Sequence, residues 1–293
     1  MLSREQIQIK TPEQVRLMRR AGLVVADIHA ALREAVRAGI TTAELDAVSA
    51  GVIKAAGAHS NFLGYYDYPA TVCISVNEEV VHGIPGERVL ADGDLVTFDC
   101  GAYIVDEDGT QWHGDAAFTT VVGGNYLSET DRLVDTTTRQ ALWEAIAAVA
   151  RAAAGEGHGR QLCLNAVGDA VETVVADLAE REGHELGILQ EYVGHGIGTS
   201  MHMAPDVLNY SVKRRGPRLR PGMVLAIEPM LTAGSPATRE LDDGWTVVTR
   251  DGSHAAQWEH TVAIVPGGVW VLTAPDGGAE GLAPYGIEPK ALG

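Results

Sequence analysis

Apolar and polar positions alternate at helical spacing from Pro12 to about Gly39, and the pattern has a marked start. Thr11 can cap the first turn, Pro12 suits the first helical position, and Gln14 completes a capping box. Thr41 to Glu44 repeats the device, and the second helical pattern stops near Gly57. Segments at about 70–77, 94–105 and 111–123 then read as strands. Two long helical patterns follow, at about 128–153 and 159–182, the second closed by Gly183. The last third returns to strands at about 190–194, 223–231, 245–250, 255–265 and 269–274. Beyond 275, Gly, Ala and Pro recur without period, so 276–293 reads as a C-terminal tail. No Pro/Ser-rich linker separates the halves, which predicts a single domain over 1–293 with its core at about 9–275.

A repeat lies within that order. Residues 90–99 (LADGDLVTFD) and 219–228 (LRPGMVLAIE) align at an offset of 129, with Leu, Gly, the apolar positions and a final acid in register. His82-Gly83-Ile84 precedes the first copy and His195-Gly196-Ile197 the second. The pattern predicts two related halves, each of helices followed by a sheet segment that ends in an acid.

Those acids are unexpected on apolar strands. Asp99 shares a strand face with Leu95 and Thr97, and Glu228 with Val224 and Ala226. Asp115 follows in WHGDAAF, expected to pair with the Asp99 strand through the turn at 106–109, and Glu259 reads as part of a strand over 257–265. An unpaired buried carboxylate costs several kcal/mol in lost hydration, as an order of magnitude. The ordinary reading pairs each acid with an arginine or a backbone cap. It weakens for four together, because no Lys or Arg lies within these strand cores. Two divalent cations about 3.5–4 Å apart, bridged by shared carboxylates, would resolve the repulsion. His195, between glycines in Gly194-His195-Gly196, is the imidazole candidate.

Composition narrows the function classes. Lys and Arg number 22 against 39 Asp and Glu, a net charge of −17, which argues against unaided DNA binding or an anionic membrane surface. No apolar run reaches the length of a membrane span, and MLSREQIQIK has no signal-peptide stretch, so a cytoplasmic location is expected. Cys73, Cys100 and Cys163 form no CxxC pair, against a disulfide framework or a structural zinc site.

On these residues the chain resembles the type I methionine aminopeptidases of the short bacterial kind. The likeness is carried by IKTPEQVRLMRRAG (9–22), FLGYYDYPATVCISVNEEVVHGIPG (62–86), GDLVTFDCG (93–101), HGDAAFT (113–119), YVGHGIG (192–198), MVLAIEPML (223–231) and WEHTVAIV (258–265), in order. The resemblance implies an α+β "pita-bread" fold: a pseudo-twofold antiparallel sheet flanked by helices, with a dinuclear metal centre. It implies five ligands. Asp99 would chelate one metal, Asp115 and Glu259 would bridge both, and His195 and Glu228 would complete the other. The metals would be Co, Mn, Fe or Zn. They would hold a water whose lowered pKa lets it attack the peptide carbonyl. Glu228 is the implied proton shuttle, and the substrate's free α-amine would lie on the Asp99 side. His82 would contact the backbone around the scissile bond, and His202 would donate to the developing oxyanion. By position the methionine pocket would be lined by Phe62, Tyr65, Tyr68, Cys73, Met201 and Trp245. The implied activity is removal of the initiator methionine from nascent polypeptides when the second residue is small, by a monomer.

The chain departs from the pattern in three places. Asp99 and Asp115 are 16 residues apart, longer than the expected hairpin, with VDEDGTQ (105–111) as the insertion. Phe62 replaces a small residue or Cys, and Met201-His202-Met203-Ala204-Pro205 replaces a more usual aromatic-His-acidic run. Two other readings compete: an aminopeptidase P or prolidase on the same fold, and a metal-free binding protein that has kept it. Lys213, Arg214, Arg215, Arg218 and Arg220 form a basic run, read as a solvated loop or as a contact with the ribosome surface.

Overall fold

The structure, a computed structural model, describes residues 6–292. Residues 1–5, part of the segment read for a targeting signal, and Gly293 at the end of the tail lie outside the described residues. Helix α1 (Pro12–Ala35) starts at the expected capping box. Gln14 N donates to Thr11 Oγ1 at 3.3 Å while Thr11 N donates to Gln14 Oε1 at 2.9 Å. Helix α2 (Thr42–Ala55) starts in the same way, with Glu44 N donating to Thr41 Oγ1 and Thr41 N to Glu44 Oε2. The two helices pack on each other, and α1 also packs on the first sheet.

In that sheet the strand Leu95–Val105 lies between Val72–Val76 and Gln111–Val121, all antiparallel. Asp106 sets the hairpin turn. Its Oδ1 accepts from the Asp108 and Thr110 amides, and its Oδ2 from Trp112 Nε1 at 2.8 Å. The 16-residue separation is absorbed in the hairpin's length. Asp99 stands opposite Ala117 and Gly101 opposite Asp115, so both carboxylates share one face, as diagonal neighbours two pairs apart on the ladder.

The second half repeats the arrangement. Strand Val224–Ile227 lies between Gly194–Gly196 and His260–Val265, again antiparallel, and helices α3 (Glu129–Ala153) and α4 (Asn165–Glu182) pack together. The acid of each copy of the sequence repeat therefore lies in, or just past, the central strand of its half.

Four expected elements differ. The strands read at 223–231 and 255–265 are both broken. Val224–Ile227 pairs with His260–Val265, but Met230–Thr232 pairs with Ala255–Gln257 in another sheet. Pro229 has no N–H to continue a ladder. Glu228 and Glu259 lie in these gaps rather than within strands, which turns them out of the regular pleat. Glu259 is held there by its amide, which donates to Ala117 O at 2.9 Å. The helix expected over 159–182 begins only at Asn165. Before it, Leu164 N donates to Pro217 O and Leu219 N to Leu162 O, bonds to a distant loop that a helix would forgo. The strand expected at 190–194 is replaced by short strands Gly187–Ile188 and Gly194–Gly196.

The segment read as a tail carries structure. A short helix, Ala279–Leu282, is followed by a turn, and Leu282 is buried in the same cluster as Leu142 and Ile146 of α3. A Cβ at Gly281 would stand 2.3 Å from the Trp143 ring, so only glycine lets the helix lie this close. Leu282→Ala should lower the unfolding free energy by about 2–4 kcal/mol. A loss below about 0.5 kcal/mol in urea titrations would show that this segment is not docked.

Candidate metal centre

Between the two halves lies a cavity of about 180 Å³. Asp99, Asp115, His195, Glu228 and Glu259 line it together, with His82 and His202 beside them. Phe62, Tyr65, Tyr68, Cys73, Met201 and Trp245 also line it. Every residue singled out in the sequence for chemistry or for the pocket thus faces one space.

Backbone details explain how each side chain reaches it. His195 sits between two glycines because strands close in on both sides. A Cβ at Gly196 would lie 2.2 Å from Ala204 O, and one at Gly194 would lie 2.4 Å from Ala226 O. His82 has φ of +62°, a left-handed conformation uncommon outside glycine. Its neighbour Gly83 lies so near Ile74 that a Cβ would stand 2.2 Å from the carbonyl oxygen. This tight turn presents the His82 ring edge-on to Tyr192 and Trp245. Cys73 reaches the cavity from the strand position opposite Asp99.

The donor set is short of protons and of partners. His195 Nδ1 lies 3.0 Å from Gly196 O. A carbonyl only accepts, so Nδ1 carries the proton and Nε2 presents a lone pair. Burial, then the nearby His202, lowers the His195 pKa to about 3, which keeps the ring neutral. Its Nε2 faces Glu228 Oε1 at 3.6 Å, too far for a hydrogen bond and with no charge on the ring to make an ion pair. Buried oxygens of Asp99, Asp115 and Glu259 have no hydrogen-bond partner. Ligand atoms of Asp115, His195 and Glu259 lie within 4.8 Å of one another.

Burial raises the pKa of all four carboxyls. Asp99 rises to about 7, and Asp115, Glu228 and Glu259 are raised well above the ordinary carboxylate range, with added repulsion from their acidic neighbours. Such a cluster must either hold protons or hold cations. Hard oxygen donors with one imidazole lone pair fit divalent cations and leave no orphaned atom.

Sequence reasoning passed over Gln257. It is 1 % exposed, and its Nε2 donates to Glu228 Oε2 at 3.2 Å. Its signal was available: an amide in an apolar strand, two positions before Glu259. Tyr192 and Met230 also line the cavity and carried no such signal, since aromatic and aliphatic residues are ordinary strand material.

Residues 16–266 match metallopeptidase family M24. Methionine aminopeptidase 1 of Bacillus subtilis is 41% identical over 264 residues, covering 90% of this chain and 98% of that protein. Methionine aminopeptidase 1 of Mycobacterium tuberculosis is 47% identical over 257 residues, covering 87% and 91%. The chain belongs to metallopeptidase family M24, among the methionine aminopeptidases. The crystal structure of the Thermotoga maritima methionine aminopeptidase superposes with a TM-score of 0.80 at 34% identity, covering 92% of this chain and 99% of that one. The prolidase from Pyrococcus furiosus shares the fold at 20% identity and a TM-score of 0.63, and this chain covers 65% of it. This metallopeptidase is a hydrolase of the pita-bread fold that uses divalent metal.

Cation binding should expel protons from the carboxyls and none from the already neutral His195. Calorimetric titration of stripped protein with Mn²⁺ at pH 7, in buffers of different ionisation enthalpy, should show net proton release. The affinity should fall as pH drops from 7 to 6, by about tenfold per unit for each proton displaced. Heats that do not depend on the buffer would contradict the raised carboxyl pKa values.

Proposed function

We propose that this chain removes the initiator methionine from nascent proteins when the second residue is small. It would do so as one catalytic unit over about 9–275, with two divalent cations held by Asp99, Asp115, His195, Glu228 and Glu259. The observation that carries the reading is the joining of two surfaces in one cavity: partnerless carboxylates with an imidazole lone pair, and an apolar wall of Phe62, Tyr68, Cys73, Met201 and Trp245. Thioether sulfur is soft and polarizable and favours aromatic edges, so this wall suits a methionine side chain. Tyr68 meets Trp245 edge to face at 5.0 Å, which holds the wall in shape.

When bound, the cations would supply Lewis acidity and lower the pKa of a neighbouring water. Asp99 would face the substrate's α-amine, which restricts entry to chain termini. Glu228, whose pKa burial raises, can take a proton from the attacking water and pass it to the leaving amine. His202 shares a 2.9 Å hydrogen bond between Nδ1 and the Tyr65 hydroxyl. With Tyr65 donating, His202 Nε2 carries the proton and can donate to the carbonyl oxygen as charge develops. His82 would align the peptide backbone near the scissile bond. Mn²⁺, Fe²⁺, Co²⁺ and Zn²⁺ all accept this donor set, and availability would select among them.

The decisive experiment adds each metal back to stripped enzyme and assays Met-Ala-Ser against Xaa-Pro peptides. Cleavage of Met-Ala-Ser alone is expected, and cleavage of Xaa-Pro alone would assign a prolidase-type activity. Glu228→Ala and His195→Ala should each lower kcat by about 10²-fold or more while circular dichroism is retained. Near-normal turnover in either variant would refute its role.

The exposed basic run of Lys213, Arg214, Arg215, Arg218 and Arg220 supports a contact with the ribosome surface, where a cytoplasmic enzyme would meet nascent chains. Reversing these charges should reduce co-sedimentation with ribosomes at low salt. Unchanged co-sedimentation would remove this contact from the proposal.

A further inference from the structure

A second cavity, of about 830 Å³, lies behind the metal centre on the helical side of the sheet. Helix α1 lines it with Ala26, His29, Ala30 and Arg33, and helix α3 with Thr136, Arg139, Gln140 and Trp143. The two sets have the same i, i+3, i+4, i+7 spacing, so one stripe of each helix faces the other across the pseudo-twofold relation of the halves. Trp258 and Phe118 form the sheet side, and Tyr285 of the docked C-terminal segment borders it.

The cleft holds two cations that no carboxylate contacts among the described residues. The Arg33 guanidinium lies 3.7 Å from the Phe118 ring centroid and 5.7 Å from that of Trp258, and Arg139 lies 5.3 Å from Trp258. Ring stacking engages the face of a guanidinium and leaves its five in-plane N–H donors free. Among the described residues, neither arginine has a hydrogen-bond acceptor or a carboxylate within ion-pair distance. The nearby acids direct their hydrogen bonds elsewhere, although Asp135 still attracts both arginines through space. Asp135 accepts from Trp258 Nε1 at 2.7 Å and from the Tyr126 hydroxyl at 2.6 Å. Asp276 accepts from the Gly278 and Glu280 amides, and Glu280 is exposed at the rim. The distant excess of negative charge is screened beyond about 8 Å at physiological salt, whereas the paired arginines act at contact.

We propose that this cleft binds a small aromatic anion: a planar apolar ring system that lies along Trp258, Trp143 and Tyr285, with a sulfonate, carboxylate or phosphate received by Arg33 and Arg139. Its volume falls within the range of ordinary ligand pockets, and planar bidentate donors match such oxyanions. Trp258 and His260, which both line the cleft, flank Glu259 in the chain. The occupant therefore touches the segment that carries a proposed metal ligand, without entering the metal site. The inference stands independently of the hydrolytic reading.

The test is calorimetric titration of the metal-loaded chain with 8-anilinonaphthalene-1-sulfonate and, in parallel, with its uncharged counterpart N-phenyl-1-naphthylamine. The sulfonate should bind at one site per chain and lose at least tenfold in affinity in the double variant Arg33→Gln/Arg139→Gln. The uncharged compound should bind more weakly and change less than twofold. Both residues are solvent-exposed, so the double variant should fold, with only a small drop in thermal unfolding temperature from the lost ring contacts. Should the pair fail to fold, either single variant must show part of the loss. Equal sulfonate affinity in wild type and variant, or equal wild-type affinity for both compounds, would overturn the proposal.

Discussion

Four carboxyls brought together inside apolar β-structure repel one another, and the surrounding protein has removed most of the water that would screen them. Left to themselves they would draw in protons until the cluster was nearly neutral. No arginine or lysine is among the residues that line the cavity, and the imidazole of His195 is held neutral with its lone pair aimed at an acid. This is an unstable arrangement of donors without a cation and a satisfied one with it. Much of the fold can be understood as the means of holding that arrangement open.

The two halves divide the task evenly. Each supplies an acid from, or just past, its central strand, Asp99 or Glu228, and a second from the return, Asp115 or Glu259. A regular ladder would set successive residues strictly above and below the sheet. In the second half both acids instead occupy breaks between ladders, one next to Pro229, where the backbone is free to tilt them inward. In the first half the hairpin stays regular, and its register alone brings Asp99 and Asp115 to the same face. Pseudo-symmetry is thus exact in purpose and loose in backbone detail. Glycines mark where backbones crowd the centre: Gly194 and Gly196 beside His195, Gly83 beside His82.

Charge has opposite uses on the two sides of the sheet. On the metal side, acids converge and no Lys or Arg lines the cavity among the described residues. On the helical side, Arg33 and Arg139 converge on aromatic faces while Asp135 directs its hydrogen bonds to Trp258 and Tyr126. Trp258 and Glu259, consecutive residues of one short segment, line the two different cavities because side chains alternate along an extended chain.

Much of this was legible in the linear chain. Caps at Thr11 and Thr41 are local devices, written within four residues, and they appear as read. The repeat at 90–99 and 219–228 and the acids ending it announced two halves and a charged centre, because a carboxylate among strand-forming apolar residues contradicts its surroundings. The likeness then reached thirteen of the eighteen residues that line the cavity. What the linear chain left open depends on contacts between distant residues. Breaks at Glu228 and Glu259 arise from a change of strand partner, which no local pattern records. Docking of Leu282 depends on a groove that exists only once α3 has packed, and the convergence of Arg33 with Arg139 depends on two helices more than a hundred residues apart lying side by side. Local propensity and residue chemistry are carried by neighbours in sequence; register, partner exchange and the meeting of faces are carried by the fold.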